Sequence, residues 1–471
     1  MPTVGLDIEL VVVSKDVSPV NMAEFGEQIQ ETFQKMSSRD DFISLRYRGS
    51  LRSATNDEVS FLTSASSSKD LEKMSHSEDG DKYVVYILHA KLAEFLSQPF
   101  INQQKQIFIP IGPGKLGKVI PALEDVCGEI FRPSVLSRTF QVVHGAPLND
   151  RELLRSVKFG SSYTLVFTLL VPEPNKVLAN WEISAAVDEY LASLKSSLHK
   201  LIDLKIKSQV LYYEKLSMDT KKDADGGYNY LTPDDMPHLI NPVEARLGSF
   251  VDTNPTLNFI VYVPTEKQYP LYLHNHQGEI LSTNSFLVPR WGGFYIYNIN
   301  STDGPQPVKH QVDLGVVFTQ LLPQIRKLLG FTSSNTALLG RTTPSDGSLS
   351  QWEVSQWMQQ RTIENIGTAT HTLYSLSNLV QNIRNMVIND DISKQVTDSV
   401  HAILESHQLL NKGSISEAFL ASKYALECAG RFAIYIPLFL PVGIPLLTSA
   451  IAAIKWLKGK NNVSQGKPKT D

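Results

Sequence analysis

Gly112-Pro113-Gly114-Lys115-Leu116-Gly117-Lys118-Val119 is the stretch whose spacing comes nearest to phosphate chemistry. It satisfies GxxxxGK between a strand-like and a helix-like run. A phosphate loop needs a Ser or Thr hydroxyl at its eighth position for the metal, and free backbone N–H groups for the phosphates. Val119 has no hydroxyl, and Pro113 removes one N–H. A glycine-rich turn is the better reading of Gly112–Lys118, with a tail-anchored nucleotide-binding enzyme as the alternative. Cys127 and His144 supply the types for a thiol nucleophile and its base. However, Cys127 lies in DVCGEIF, an amphipathic helical pattern in which a free Cys serves the core. His274, His276 and Glu279 surround one turn, in a spacing that matches no four-ligand zinc pattern. Asp234 and Asp235 are adjacent in a loop, and nothing in the sequence makes them an acid–base pair. The expectation is therefore no catalytic residue, no cofactor and no metal ligand.

The residues most likely to matter for placement rather than chemistry lie at the C-terminus. Phe432 to Ile454 carries no charge, enough residues to cross a hydrocarbon core of about 30 Å at about 1.5 Å per residue. Arg431 closes one end; Lys455, Trp456, Lys458 and Lys460 close the other, an aromatic–basic boundary suited to a membrane interface. Pro437, Pro441 and Pro445 recur every fourth residue and each removes an intrahelical hydrogen bond, so this span is expected to kink. Ser449 and Ala453 are small and four apart, which permits close packing against other helices. The clustered Lys predict a cytosolic C-terminus. Lys467 and Lys469 in the last five residues fit the K-x-K-x-x form of an ER-retrieval signal. The head domain would then be lumenal, which makes Asn300 of Asn300-Ser301-Thr302 a glycan acceptor. The first 30 residues hold no signal-like apolar core, because Asp7 and Glu9 interrupt it. Read literally, that gives a tail-anchored protein with a cytosolic head, such as a membrane-anchored adaptor, and both topologies stay open at this level.

Composition agrees with one span rather than many. Across 471 residues the net charge is −4, and mean hydropathy is −0.12, too low for a polytopic membrane protein. Residues 455–471 hold five Lys and one Asp, so the remainder carries about −8 and offers no basic surface for nucleic acid. Two cysteines cannot build a disulfide scaffold. A Cys127–Cys428 bridge would need an oxidising compartment and would join two different expected subdomains.

The elements that hold these residues alternate in type. Ile8–Val13, Tyr83–Leu88 and Gln106–Ile111 read as buried strands, Ile43–Arg48 as an alternating one, and Met22–Met36 as a helix. Residues 50–82, rich in Ser and charge, read as a mobile insertion. A helix is expected over Asn180–Leu204, and strands over Ser208–Tyr213, Leu257–Val263, Leu271–His274, Glu279–Val288 and Phe294–Ile299. Val312–Leu329 is helical again. Beyond Ser350 the pattern becomes all-helical. Ile366, Ala369, Leu373, Leu376, Val380, Ile383 and Val387 form a heptad-like seam, followed by helices over Ile392–Leu410 and Ile415–Ala429. The expected organisation is an α/β domain with a mixed sheet and flanking helices over 1–349, a helical hairpin or bundle packed on it over 350–430, a transmembrane helix over 432–454 and a basic tail over 455–471.

Several blocks in one order resemble a known family, the class S phosphatidylinositol-glycan (PIG-S) subunits of the GPI transamidase. They are SQVLYY (208–213), HLINPVEARLG (238–248), LNFIVYVP (257–264), TNSFLVPRWGG (283–293), ENIGTATHTLYSL (364–376), NMVINDDIS (385–393) and FAIYIPLFLP (432–441). The resemblance covers about residues 4–460. It implies an endoplasmic-reticulum membrane protein with a lumenal domain between two spans, in a complex that joins GPI anchors to proprotein C-termini. It implies a non-catalytic subunit that organises and stabilises that complex, with other subunits as partners. The cysteine-protease-like nucleophile would belong to one of these. Against that pattern, a first span before Met1 and a longer connector before Phe432 are missing from this sequence.

Overall fold

The computed structural model describes residues 2–13, 19–37, 42–74, 81–89, 94–111, 119–146, 151–215, 219–223, 227–236, 254–300, 306–331, 338–341, 348–382 and 390–430, with single residues 92, 240 and 449. The GxxxxGK loop 112–118, nearly all of the apolar stretch 432–454 and the tail 455–471 lie outside these residues. Among the described residues, no helix is long and apolar enough to cross a membrane.

The chain begins with β1 (Thr3–Val13), α1 (Pro19–Met36), β2 (Ser44–Ser53), α2 (Asn56–Ser64), α3 (Ser68–Leu71), β3 (Tyr83–His89), β4 (Phe100–Ile101), β5 (Gln106–Ile111), α4 (Val119–Phe131) and α5 (Pro133–Val143). Strands β2, β1, β3 and β5 lie side by side in parallel, and β4 adds antiparallel to β5. Parallel strands must be covered on both faces, and β1 shows this directly. Its Leu6, Ile8, Leu10 and Val12 enter the main core with Phe25, Ile29 and Phe33 of α1. Its Val11 and Val13 face the other way, into a cluster with Leu62, Leu71 and Met74. That second cover comes from the stretch read as a mobile insertion. Residues 50–74 complete β2 and build α2 and α3, and Thr55 closes α2 with a capping box to Glu58. Three well-placed apolar residues anchor a segment whose average composition suggested none.

After α6 (Arg151–Arg155) a second α/β unit follows. It comprises β6 (Ser162–Val171), β7 (Val177–Asn180), a three-part helix α7 (Ile183–Ala186, a π-type turn Val187–Leu191, and Ala192–Leu198) and β8 (Asp203–Tyr212). Next come β9 (Lys221–Lys222), β10 (Asn229–Leu231), β11 (Thr256–Tyr262), β12 (Leu271–Leu273), β13 (Ser285–Val288), β14 (Gly292–Ile296), β15 (Val308–Gln311) and α8 (Leu314–Leu329). Strands β14, β11, β6 and β8 run in parallel, and β13 closes the edge antiparallel to β14. The central β6 was not among the expected strands. It is buried along nearly its whole length. A continuous apolar run has no period of its own to mark it as strand. The helix expected over Asn180–Leu204 occupies only Ile183–Leu198, because β7 and β8 take its two ends.

The short strand β16 (Gly340–Arg341) then returns to the first sheet and pairs with β4. Three helices end the described chain: α9 (Gln351–Asn382), α10 (Asp390–Lys412) and α11 (residues 415–430). They form the C-terminal helical layer.

Candidate functional site

Helix α9 is the element around which the molecule is arranged. Its first half carries Trp352, Trp357, Met358, Ile363 and Ile366 into the main core. It also carries polar groups placed to hold its neighbours. Gln356 Nε2 donates to Ile130 O at the end of α4, 3.0 Å away. Trp357 Nε1 and Arg361 Nη2 both donate to Leu329 O, at 2.8 Å each, and so satisfy a carbonyl of the last turn of α8. Gly330, left-handed at φ 91°, ends that helix and lets the chain turn away beneath Arg361. One helix thus joins the first α/β unit to the second.

The charges in this region are buried and matched. Arg361 is 2% exposed; its Nη1 reaches Glu364 Oε2 at 2.5 Å, and its guanidinium lies 5.7 Å from the Trp357 ring. Burial works against the charge on Arg361, but Glu364 and Tyr163 outweigh it and raise its pKa. Glu364 Oε1 also accepts from Phe159 N at 3.3 Å. One turn earlier, Glu353 is paired with Arg326 at 2.5 Å and Arg341 at 3.6 Å, and accepts from Ser350 N. Arg326 belongs to α8 and Arg341 to β16, so this cluster ties both to the start of α9.

Two further contacts fix the rest of the layer. Arg48 of β2 forms a two-pronged pair with Asp7 of β1 and donates to the carbonyls of Asn411 and Lys412, where α10 ends. Gly5 makes this approach possible, since a Cβ there would overlap Asn411 O. Lys423 Nζ of α11 donates to Leu201 O in the second unit, at 2.9 Å. A cleft of about 400 Å³ opens between α5, the segment 153–159 and α9. Lys158, Arg290, Arg361, Glu364 and His371 are among its polar lining. Arg361 and Glu364 are already committed to one another, which leaves exposed Lys158 and Arg290 as the cations available there.

The residues weighed for chemistry are scattered. Cys127 is buried on α4, and burial pushes its thiol pKa far up, so it stays protonated. His144 ends α5, exposed, stacked on Phe140 with Nδ1 2.9 Å from Phe140 O. Cys127 and Cys428 are both free and buried, so the considered disulfide is not formed. His274 is buried and stacked on Tyr230 at 4.2 Å, whereas His276 and Glu279 are exposed. Asn275 closes that turn by accepting from Gln277 N and Glu279 N and donating to Glu279. Asp235 serves Thr232 in a capping box and pairs with Lys221 at 3.0 Å. Asn300 is half-buried at the edge of the described residues. Pro437, Pro441, Pro445, Lys467 and Lys469 lie outside them. The expected seam is buried only at Ile366 and Ala369; Leu373, Leu376 and Val380 are half exposed. Arg361, Glu353 and Arg48 were not foreseen. The only sequence signal for them is a charge set within an apolar helix face, as with Arg361 and Glu364 three residues apart.

Two mainly parallel sheets bound by a buried, charge-matched helix define a scaffold-type α/β protein. The chain belongs to the family described as phosphatidylinositol-glycan biosynthesis class S protein, which it matches over residues 2–431. It is 35% identical over 325 residues to the human GPI-anchor transamidase component PIGS, covering 64% of this chain and 58% of that protein. It is 29% identical over 366 residues to the GPI transamidase component PIG-S homolog of Schizosaccharomyces pombe, covering 73% of this chain and 63% of the relative. With the Saccharomyces cerevisiae GPI transamidase component GPI17 it shares 24% over 263 residues, 54% of this chain and 46% of that one. The chain therefore spans less than two thirds of the length of these relatives.

Proposed function

We propose that this chain is a non-catalytic subunit of the GPI transamidase of the endoplasmic reticulum. It would support the attachment of GPI anchors to proprotein C-termini by organising and stabilising the complex. The family match over residues 2–431, with relatives named as transamidase components, carries this reading. The arrangement of α9 agrees with it: its charged groups are spent on neighbouring elements, as expected of a part that holds a shape. Other transamidase subunits, including the cysteine-protease-like catalytic one, are the proposed partners. Residues 432–454 would anchor the chain in the membrane with a kink at Pro437, Pro441 and Pro445. The head would face the lumen, and the tail with Lys467 and Lys469 the cytosol.

Recovery of the tagged chain from endoplasmic-reticulum membranes tests the assembly. Co-purification of transamidase subunits is expected, and their consistent absence from intact preparations would sink the proposal. A glycan at Asn300 removed by endoglycosidase H is the expected sign of a lumenal head; its absence in membrane-inserted protein would favour the cytosol-facing adaptor.

A further inference from the structure

The helical layer changes character along its length. On α9, burial stops at Ala369, and no described side chain from Thr370 to Gln381 is buried. On α10, none is buried from Asp390 to Asp398, and burial resumes at Ser399. The distal ends of α9 and α10 therefore project from the body with only one another for company. A pair of helices cannot cover its own seam. Leu373, Leu376 and Val380 of α9 and Ile392 and Val396 of α10 remain half exposed. Tyr374 is 65% exposed.

The direction of this projection follows from side-chain contacts. Asn365 of α9 donates to Ser422 of α11 at 3.2 Å, and Ala369 meets Ala425 and Ala429, so α9 and α11 run in parallel. Ser399 of α10 donates to Ala425 O, and Ser406 to Ala418 O, so α10 runs antiparallel to α11. Asn382 lies 17 residues past Asn365, whereas residue 430 lies eight past Ser422. At about 1.5 Å per residue, α9 ends about 13 Å beyond the end of α11. By the same count from Ser399 and Ala425, Asp390 stands about 6 Å beyond it, and Tyr374 is level with it. The uncharged sequence 432–454 starts two residues after residue 430.

We propose that the distal end of the α9–α10 pair contacts membrane lipid, at the headgroup–acyl boundary of the leaflet where the chain enters the bilayer. This rests on the reading of 432–454 as a membrane span. Four observations favour lipid. The projection lies alongside the entry point and extends in the same direction. Residues 372–382, TLYSLSNLVQN, carry no charge. Tyr374 sits at the level of entry, where an amphipathic ring is favoured. The half-covered apolar seam would lose its contact with water there. Asp390 and Asp391 set the limit of depth, because carboxylates do not enter hydrocarbon cheaply, so the contact is interfacial rather than deep.

The test uses the full chain in phosphatidylcholine vesicles, with an environment-sensitive fluorophore on single introduced cysteines. Ser377→Cys and Asn378→Cys, both at exposed sites, probe the projection. Gln408→Cys, exposed on the body, is the water control, and Leu438→Cys probes the span. Unlabelled buried Cys127 and Cys428 set the background. The expected result is several-fold stronger quenching of the two projection labels than of the Gln408 label by lipid carrying a nitroxide near its headgroup, with iodide showing the reverse order. Equal behaviour of the projection labels and the Gln408 label, with the Leu438 label quenched by lipid, would overturn the inference and leave the span intact. A Leu438 label that escapes lipid quenching would overturn the span and the inference together.

Discussion

Replacing Arg361 by Met tests whether the buried pair on α9 is a keystone. The substitution keeps the stem and its contact with Trp357, but removes the charge. Glu364 would keep only the 3.3 Å contact from Phe159 N, while Leu329 O would keep the Trp357 indole. Leaving one partner of a buried pair uncompensated costs about 3–5 kcal/mol. The Glu364 side chain is 18% exposed and can regain some water, so the lower end, about 3 kcal/mol, is expected. At about 2–4 °C per kcal/mol, Tm should fall by roughly 6–12 °C. Arg361→Met combined with Glu364→Leu removes the orphan and should recover most of the loss, since an apolar replacement of a buried pair is often neutral. Unfolding of the full chain in detergent, followed by tryptophan fluorescence, reads both variants, because Trp357 adjoins the pair. The four proteins complete a double-mutant cycle. A cost below about 1 kcal/mol for Arg361→Met, or a double variant no better than the single one, would refute the assignment.

Three further outcomes follow from the same structure. Gly292→Ala should destabilise more than Gly293→Ala, as read by thermal unfolding. The new Cβ at 292 would strike the backbone of Asn258 in the neighbouring strand, whereas at 293 it meets the movable end of Gln324. The Arg52 guanidinium, with help from Thr55 N–H and Tyr86 OH, holds the Glu58 carboxyl at about 2 against the opposing effect of burial. Its contribution to stability is then complete above its ordinary value of 4.5 and is lost as pH falls toward 2. Glu58→Gln should flatten the fall of Tm over that window, and an unchanged slope would count against the pairing. Both cysteines should resist a thiol reagent in the native protein and react after denaturation; fast labelling of Cys127 without unfolding would contradict its burial.

Much of the architecture was legible because it rests on local pattern. The apolar runs at Tyr83–Leu88 and Gln106–Ile111 and the stripe of Phe25, Ile29 and Phe33 are buried where their periods place them. Boundaries moved where a neighbour competed, as β7 and β8 do at the ends of α7. Two features escaped for a shared reason. Strand β6 is apolar throughout, and residues 50–74 are polar on average, so neither shows a clear period. Only the surfaces they meet give them their place.

By itself, the sequence determined the α/β alternation, the helical C-terminal layer, the uncharged stretch at 432–454 and the family. Each follows from the order of side chains along the chain. Tertiary structure alone decided that β16 returns to complete the first sheet, that α9 carries Arg361 and Glu353 to the ends of α8 and β16, and that α9 and α10 outrun α11. These are relations between residues far apart in sequence. They depend on which surfaces exclude water together and which buried charges find partners, and no local period records either.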